Sequence, residues 1–191
     1  MLLAAASVVL LLVGTGWWAV RANQRSEMIE LLQKFAPIGK PPLEIQFPAT
    51  LSGSAETRLL LAPGAEADFW MVRGSSSGGP LEVRVTRNGQ RYFSAVGNRI
   101  VAGFGAGTRS ITGIDEITDT PPTRRVKFRY VWAEVHPALI FLGDGSPVTG
   151  KEYAGDAMLV RVGENWTLAH WTTPEFDAAQ KQFQSLTSAA R

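Results

Sequence analysis

Apolar and polar side chains alternate with a period of two along residues 124–132. The apolar positions of this stretch are Val126, Phe128, Tyr130 and Trp132. Lys127 and Arg129 lie between them, so the pattern predicts a strand with one buried face. Residues 157–171 have the composition of two more strands, joined by a tight turn at residues 163–165. Together these strands are predicted to form the middle of an antiparallel sheet.

Shorter apolar runs predict the remaining strands, at residues 43–47, 58–62, 68–73, 81–86, 90–96, 100–102 and 109–118. Asn88 and Gly89 separate two of these runs and predict a hairpin with a type I′ turn, because both residue types tolerate a positive φ. The glycine-rich residues 103–108 match neither a Walker A nor a dinucleotide-binding motif. We therefore predict a loop between strands at that point.

Two amphipathic stretches predict helices that pack on this sheet. The first covers residues 26–36, and Ser26 is its candidate N-cap. The second covers residues 174–188 and follows the candidate N-cap Thr173. The predicted fold class is α+β, with one curved antiparallel sheet of about six to eight strands packed against an N-terminal and a C-terminal helix. By analogy it is cystatin-like or NTF2-like, and it forms one domain over residues 23–191.

The N-terminus is strongly apolar. Residues 2–20 carry no charge, and a helix of that length covers about 28 Å, close to the roughly 30 Å hydrocarbon core of a bilayer. Two tryptophans at its end, Trp17 and Trp18, suit an aromatic belt. We predict a transmembrane anchor at residues 1–22, with the lipid bilayer as a partner through residues 2–20, in preference to a cleaved signal peptide.

The orientation of this anchor is predicted from two opposing indications. Arg21 and Arg25 follow the apolar stretch, and the positive-inside rule then favours a cytoplasmic domain. A short N-terminal helix followed by one β-rich domain is, however, a common build for envelope proteins. We predict a single-pass protein of the inner membrane with a periplasmic domain.

The composition excludes several kinds of chemistry. The chain has no cysteine, which excludes disulfides and thiol nucleophiles. Its two histidines, His136 and His170, do not have a zinc-binding spacing. The G-x-S-x-G match at residues 74–78 leads into another strand, where a nucleophile elbow needs a helix. We predict no catalytic residue, no metal and no cofactor, and the net charge of +2 is too small to indicate nucleic-acid binding.

Aromatic residues and histidines on the predicted strands are the candidate functional surface. They are Tyr130, Trp132, His136, Trp166, His170 and Trp171. Such residues usually belong to a hydrophobic core, and the alternative is a concave aromatic surface that binds a ligand or a peptide.

Residues 112–171 resemble the C-terminal part of small uncharacterised bacterial envelope proteins. The features shared are Ile114, Ile117 and Thr118, then Val126, Phe128 and Tyr130, and after a loop Gly155, Ala157, Leu159 and Arg161 followed by Glu164, Asn165 and Trp166. The resemblance implies an anchor or signal and an α+β domain with a strongly bent antiparallel sheet. It implies no known activity.

Two hypotheses for the function follow. The first is a non-catalytic envelope domain that binds a protein partner, as an accessory or inhibitor subunit. The second is a small-ligand-binding module, or an enzyme, that uses the concave face of the sheet. An apolar pocket lined by Tyr130, Trp132 and His170 would support the second hypothesis, and a filled face would support the first.

Overall fold

The structure, a computed structural model, describes residues 22–74 and 78–188. The helices are α1 (22–34), α2 (Ala36–Gly39), α3 (Ala55–Glu66) and α4 (Pro174–Ser188). The strands are β1 (Pro42–Pro48), β2 (Thr50–Leu51), β3 (Trp70–Arg73), β4 (Leu81–Val85), β5 (Ser94–Val96), β6 (Arg99–Gly105), β7 (Gly107–Thr120), β8 (Thr123–Val135), β9 (Glu152–Val162) and β10 (Asn165–Thr172). Short 3-10 helices cover Gly89–Arg91 and Pro137–Gly145.

The strands form three antiparallel sheets, with the orders β10-β9-β8-β7, β1-β6-β5 and β2-β4-β3. Long strands connect the sheets. β6 continues into β7 through Ala106, whose N–H donates to the Pro41 carbonyl and whose carbonyl accepts from the His136 N–H, at 2.8 and 2.9 Å. β1 continues into β2 through Ala49, which bonds to Asn98 on one side and Val83 on the other.

The central strand confirms the alternating pattern. Val126, Phe128, Tyr130 and Trp132 of β8 are all fully buried. Lys127 and Arg129 lie on the solvent face, where they pair with Glu116 at 2.6 Å and Asp115 at 2.9 Å on β7. The predicted hairpin β9–β10 is also confirmed, because Val162 and Asn165 pair directly across the turn.

Both predicted helices pack on the core. Met28 and Leu32 of α1 are buried, and so are Phe176, Ala179 and Phe183 of α4. Phe183 contacts an aromatic cluster centred on Trp70, a residue whose indole N–H donates to the Leu61 carbonyl at 2.9 Å. The C-terminal helix is therefore part of the hydrophobic core.

The predicted fold class is wrong in its transmembrane helix. Among residues 22–74 and 78–188, no helix is long and apolar enough to cross a membrane. The longest helix among these residues, α4, has 15 described residues, where a span needs about 20. The predicted anchor at residues 1–22 lies almost entirely outside the described residues. The fold class is corrected to α+β with antiparallel sheets, three in place of the single sheet predicted.

The predicted strand at residues 58–62 is wrong, because these residues lie in α3. Ser54 caps this helix, and its hydroxyl accepts the Thr57 N–H at 3.1 Å. Glu56 lies in the first turn, where a carboxylate favours the helix dipole. These two signals at the N-terminus of α3 outweigh the continuous apolar run at residues 58–62, which by itself predicts a strand.

The predicted type I′ hairpin at Asn88 and Gly89 is also wrong. Asn88 has φ −70° and ψ −43°, whereas a type I′ turn needs a positive φ. A Cβ on Gly89 would lie 1.8 Å from the Phe69 carbonyl oxygen. This glycine therefore permits close packing rather than a turn, and β4 pairs with β2 and β3 instead of β5.

The loop predicted at residues 103–108 is instead strand, apart from Ala106. Gly107 has φ 137°, and a Cβ there would lie 2.1 Å from the Glu134 carbonyl oxygen. The glycines of residues 103–107 allow the chain to continue from β6 in the sheet β1-β6-β5 into β7 in the four-stranded sheet.

Candidate functional site

The face of the sheet that carries Tyr130 and Trp132 is filled. Both side chains are fully buried. The Trp132 ring packs against Phe176 of α4, with centroids 5.3 Å apart. These two candidate residues therefore belong to the core, and they line no open pocket.

A buried arginine, Arg109 of β7, lies between these aromatic rings. Its guanidinium carbon is 4.7 Å from the Tyr130 ring centroid, 4.4 Å from that of Trp132 and 5.1 Å from that of Phe176. Nη2 donates to the Thr173 hydroxyl at 3.3 Å, while Nε and Nη1 have no hydrogen-bond partner. Burial lowers the pKa of Arg109 to about 10, although Glu175 and Asp177 raise it in part.

Glu175 completes this cluster at the start of α4. The Tyr130 hydroxyl donates to its carboxylate. Burial raises the pKa of Glu175, and the hydrogen bond from its own backbone N–H and the nearby Arg109 offset this only partly. Neither charged residue is among the sequence-predicted candidates. A cation on a β-strand such as Arg109 normally indicates the solvent face, and a carboxylate in the first turn of a helix such as Glu175 normally indicates a favourable interaction with the helix dipole.

His136 has a structural role. It follows β8 and packs 4.5 Å from the Phe104 ring and 5.4 Å from the Tyr92 ring. Its Nδ1 accepts the Ala138 N–H at 3.2 Å, which caps the following 3-10 helix. It does not join the other candidates.

The three remaining candidates, Trp166, His170 and Trp171, lie on β10. Trp166 is opposite Arg161, and Trp171 is opposite Ala157. A bulge between Leu168 and His170 shifts the alternation by one residue. Trp166, Leu168 and Trp171 consequently share the face of Tyr130, while the exposed His170 points to the opposite face. Sequence alternation alone would have placed His170 with Trp166.

The outer edge of β10 is unpaired. The Arg161 N–H donates to the Pro122 carbonyl, on the side away from β10. Because hydrogen-bonded and non-hydrogen-bonded pairs alternate in an antiparallel ladder, Trp166 and Leu168 direct their own N–H and C=O groups outward. Within the described ranges, no strand pairs with this edge. β10 contains no Asp, Glu, Lys, Arg or Pro.

A cleft of about 270 Å³ adjoins the end of β10. Trp171, Thr173, Phe176, Asp177, Gln180 and Gln184 line one side, and Pro37, Pro41, Pro42 and Glu44 line the other. The Trp171 side chain is 38% exposed. Asp177 is held in place, since its carboxylate accepts the Thr173 N–H at 2.8 Å and the Thr173 hydroxyl at 3.2 Å.

A second, more apolar cleft of about 450 Å³ lies between α3, α4 and the 3-10 helix Pro137–Gly145. Leu59, Leu60, Pro63 and Leu142 contribute its apolar surface, and Glu56, Asp144 and Gln182 its polar rim. None of the six candidate residues lines it. Leu59 is one of the most exposed apolar side chains among the described residues.

The opposite face of the four-stranded sheet is covered with ion pairs. Arg125 pairs with Asp156, Lys127 with Glu116, and Arg129 with Glu152 as well as Asp115. The hydrogen bond from Lys127 lowers the pKa of Glu116. Since each cation already has a carboxylate partner, this face offers little excess positive charge.

No protein-family model matches this chain, and no curated protein or solved structure is significantly similar to it. The resemblance to bacterial envelope proteins stays a prediction. Among the residues that the structure describes, no group of His, Asp and Glu side chains is arranged to hold a metal ion.

Proposed function

We propose that this protein is a non-catalytic binding domain that adds an extended segment of a partner protein to the outer edge of β10. The observation that carries the proposal is the unpaired, uncharged edge with outward N–H and C=O groups. Strand addition uses such groups for affinity and the neighbouring side chains for specificity.

The two edges of the four-stranded sheet differ in a way that supports this proposal. At the β7 edge, the Gln33 side chain of α1 donates to the Arg109 carbonyl at 2.6 Å and accepts the Ile111 N–H at 3.0 Å. The protein itself therefore occupies that edge near the start of β7, and the rest of the strand carries the charged residues Asp115, Glu116 and Asp119. Exposed edges are normally protected by charges, prolines or short length, but β10 has eight residues and neither charge nor proline.

The filled face of the sheet favours protein binding over the second hypothesis. Tyr130 and Trp132 are covered by Arg109 and α4, so a ligand would have to displace a core helix to reach them. An edge strand needs no such rearrangement. Its aromatic residues Trp166 and Trp171 are the kind of anchor found at protein interfaces.

A matched pair of variants tests the proposal. The full chain is immobilised and used to select binders from a phage-displayed library of random twelve-residue peptides. Leu168→Pro removes one outward N–H, a change that an edge strand tolerates, whereas Leu168→Ala shortens the same side chain and keeps the N–H.

We expect the selected peptides to bind Leu168→Pro at least about tenfold more weakly, because proline removes a backbone hydrogen bond and its ring clashes with the peptide. Leu168→Ala should retain most of the affinity. Hydrogen exchange should slow at the Trp166 and Leu168 amides when peptide binds, and not at the inward amide of Thr167. Failure to select any peptide, or equal binding to Leu168→Pro, would refute the proposal. Thermal unfolding of each variant checks that it is folded.

A small-ligand role at the cleft beside α3, rather than at the face of the sheet, is the second candidate. Its volume of about 450 Å³ lies within the roughly 300–1,000 Å³ of ligand pockets, and its floor is apolar. A fragment screen by NMR tests this role, with shifts at the Leu60 and Leu142 methyl groups as the expected result. Hits that shift only residues of other regions would argue against it.

A further inference from the structure

We propose that the cleft at the end of β10 receives a lysine or arginine side chain of the added segment. This inference rests on the strand addition proposed above and names the chemistry of the partner. It makes the protein selective for basic extended segments.

The size and walls of the cleft suit one long side chain. At about 270 Å³ it is smaller than the roughly 300–1,000 Å³ of pockets that hold whole ligands. Prolines 37, 41 and 42 form an apolar wall, against which the methylene stem of a lysine or arginine packs well. Trp171 offers an exposed ring, and tryptophan is the best aromatic partner for a cation.

Two carboxylates, Glu44 and Asp177, line the cleft. The side chain of Glu44 is exposed and has no ion-pair or hydrogen-bond partner among the described residues. No lysine or arginine is among the lining residues. Asp177 accepts its two bonds from Thr173 and offsets the positive end of the α4 dipole, which leaves Glu44 to pair with an incoming cation.

The location of the cleft connects it to the edge. Trp171 belongs both to β10 and to the wall of the cleft. The bulge beyond Leu168 directs its ring to that side. A segment that pairs with the outward groups of Trp166 and Leu168 therefore runs toward the cleft, and one of its side chains reaches the indole.

A second copy of this chain fits the edge less well. In the symmetric antiparallel register that pairs all eight residues of two β10 strands, Asn165 of one copy lies opposite Thr172 of the other. The turn residue Glu164 of the neighbouring copy would then approach Thr173, at the acidic end where Glu44 and Asp177 lie. Like charges placed opposite each other disfavour that pairing.

A double-mutant cycle tests the inference with the peptides selected above. One arm replaces the lysine or arginine of a selected peptide by norleucine, which keeps an apolar stem without the charge. The other arm replaces Glu44→Gln in the full chain. Glu164→Gln is the matched control, because it neutralises an exposed carboxylate in the turn before β10.

We expect the selected peptides to share a basic residue at one position, and norleucine there to weaken binding about tenfold, as for a cation–π contact joined to an ion pair. With Glu44→Gln the same replacement should cost clearly less, and Trp171→Leu should also weaken binding. Glu164→Gln should leave the affinity unchanged.

The possible failures are distinguishable. Peptides that need the Leu168 N–H but show no basic preference, or that bind Glu44→Gln as well as the original protein, would overturn the cleft inference and leave strand addition standing. Peptides that bind Leu168→Pro equally would overturn the proposed function itself. A dimer in sedimentation velocity that Leu168→Pro dissolves would make a second copy the occupant and overturn this inference.

Discussion

Replacing the buried cation Arg109 by methionine should make the protein more stable. Arg109 lies at the centre of the core, between three aromatic rings, with two donor groups that have no acceptor. A buried charge without good partners is costly, and an apolar residue of similar volume often removes that cost. Methionine is flexible enough to fill the same space.

The magnitude follows from the opposing contributions. A pKa lowered from the ordinary arginine value to about 10 corresponds to a cost of about 3 kcal/mol for the charged form, at roughly 1.4 kcal/mol per unit. That figure already includes the attraction of Glu175 and Asp177. The contacts with the rings and the Thr173 hydroxyl return about 1–2 kcal/mol. Arg109→Met should therefore stabilise the fold by about 1–2 kcal/mol, or raise Tm by about 2–8 °C.

Urea and thermal unfolding of the full chain measure this difference, with two controls at the same position. Arg109→Lys keeps the charge but loses the planar stacking, and Arg109→Ala leaves a cavity; both should destabilise the protein. The pH dependence gives an independent check. Because the folded pKa of Arg109 is below the unfolded one, the penalty is complete below about pH 10 and is relieved as pH rises from there toward the ordinary arginine pKa. An Arg109→Met protein less stable than the original at neutral pH would refute this reasoning.

Three further predictions concern other parts of the fold. Gly89→Ala should destabilise the protein by about 1–3 kcal/mol in urea unfolding, because the new Cβ meets the Phe69 carbonyl; a neutral result would show that the Phe69 carbonyl does not crowd this position. Glu175→Gln should stabilise the protein at neutral pH. Burial raises the pKa of Glu175 in the folded protein, so ionised Glu175 destabilises the fold, and this cost disappears as pH falls and the carboxylate is protonated. The stability gained by Glu175→Gln should therefore vanish in acid. A gain that grows in acid would contradict a raised pKa for Glu175. Lys127→Met should leave the free energy of unfolding nearly unchanged, since its pair with Glu116 is exposed; a clear loss of stability in urea unfolding would show that the solvent-face ion pairs act as a network.

Much of the fold could be predicted because local patterns agree with tertiary packing. The alternation along β8, the β9–β10 turn and the apolar stripe of α4 each describe one buried face, and burial is what stabilises these elements. The errors occur where local signals compete. At residues 58–62 the cap at Ser54 prevails over an apolar run, and at Gly89 close packing against Phe69 prevails over the usual turn preference.

The candidate site could be predicted only in part. All six candidate residues are aromatic residues or histidines of predicted strands, and this residue type alone does not distinguish core from surface. The fold buries Tyr130 and Trp132, uses His136 as a cap and leaves the aromatic residues of β10 at an edge. The edge itself depends on strand order, which no local pattern specifies.

Local sequence thus decides which segments become strands or helices, because period and capping act over a few residues. Tertiary structure decides which strand lies at an edge of the sheet and which face of the sheet α4 covers. It determines that the bulge after Leu168 places the Trp171 side chain on that face. It also decides that Arg109 is buried while Lys127 and Arg129 are exposed, although all three are cations on neighbouring strands. The free energy of a charge depends on what surrounds it, and only the packed fold determines those surroundings.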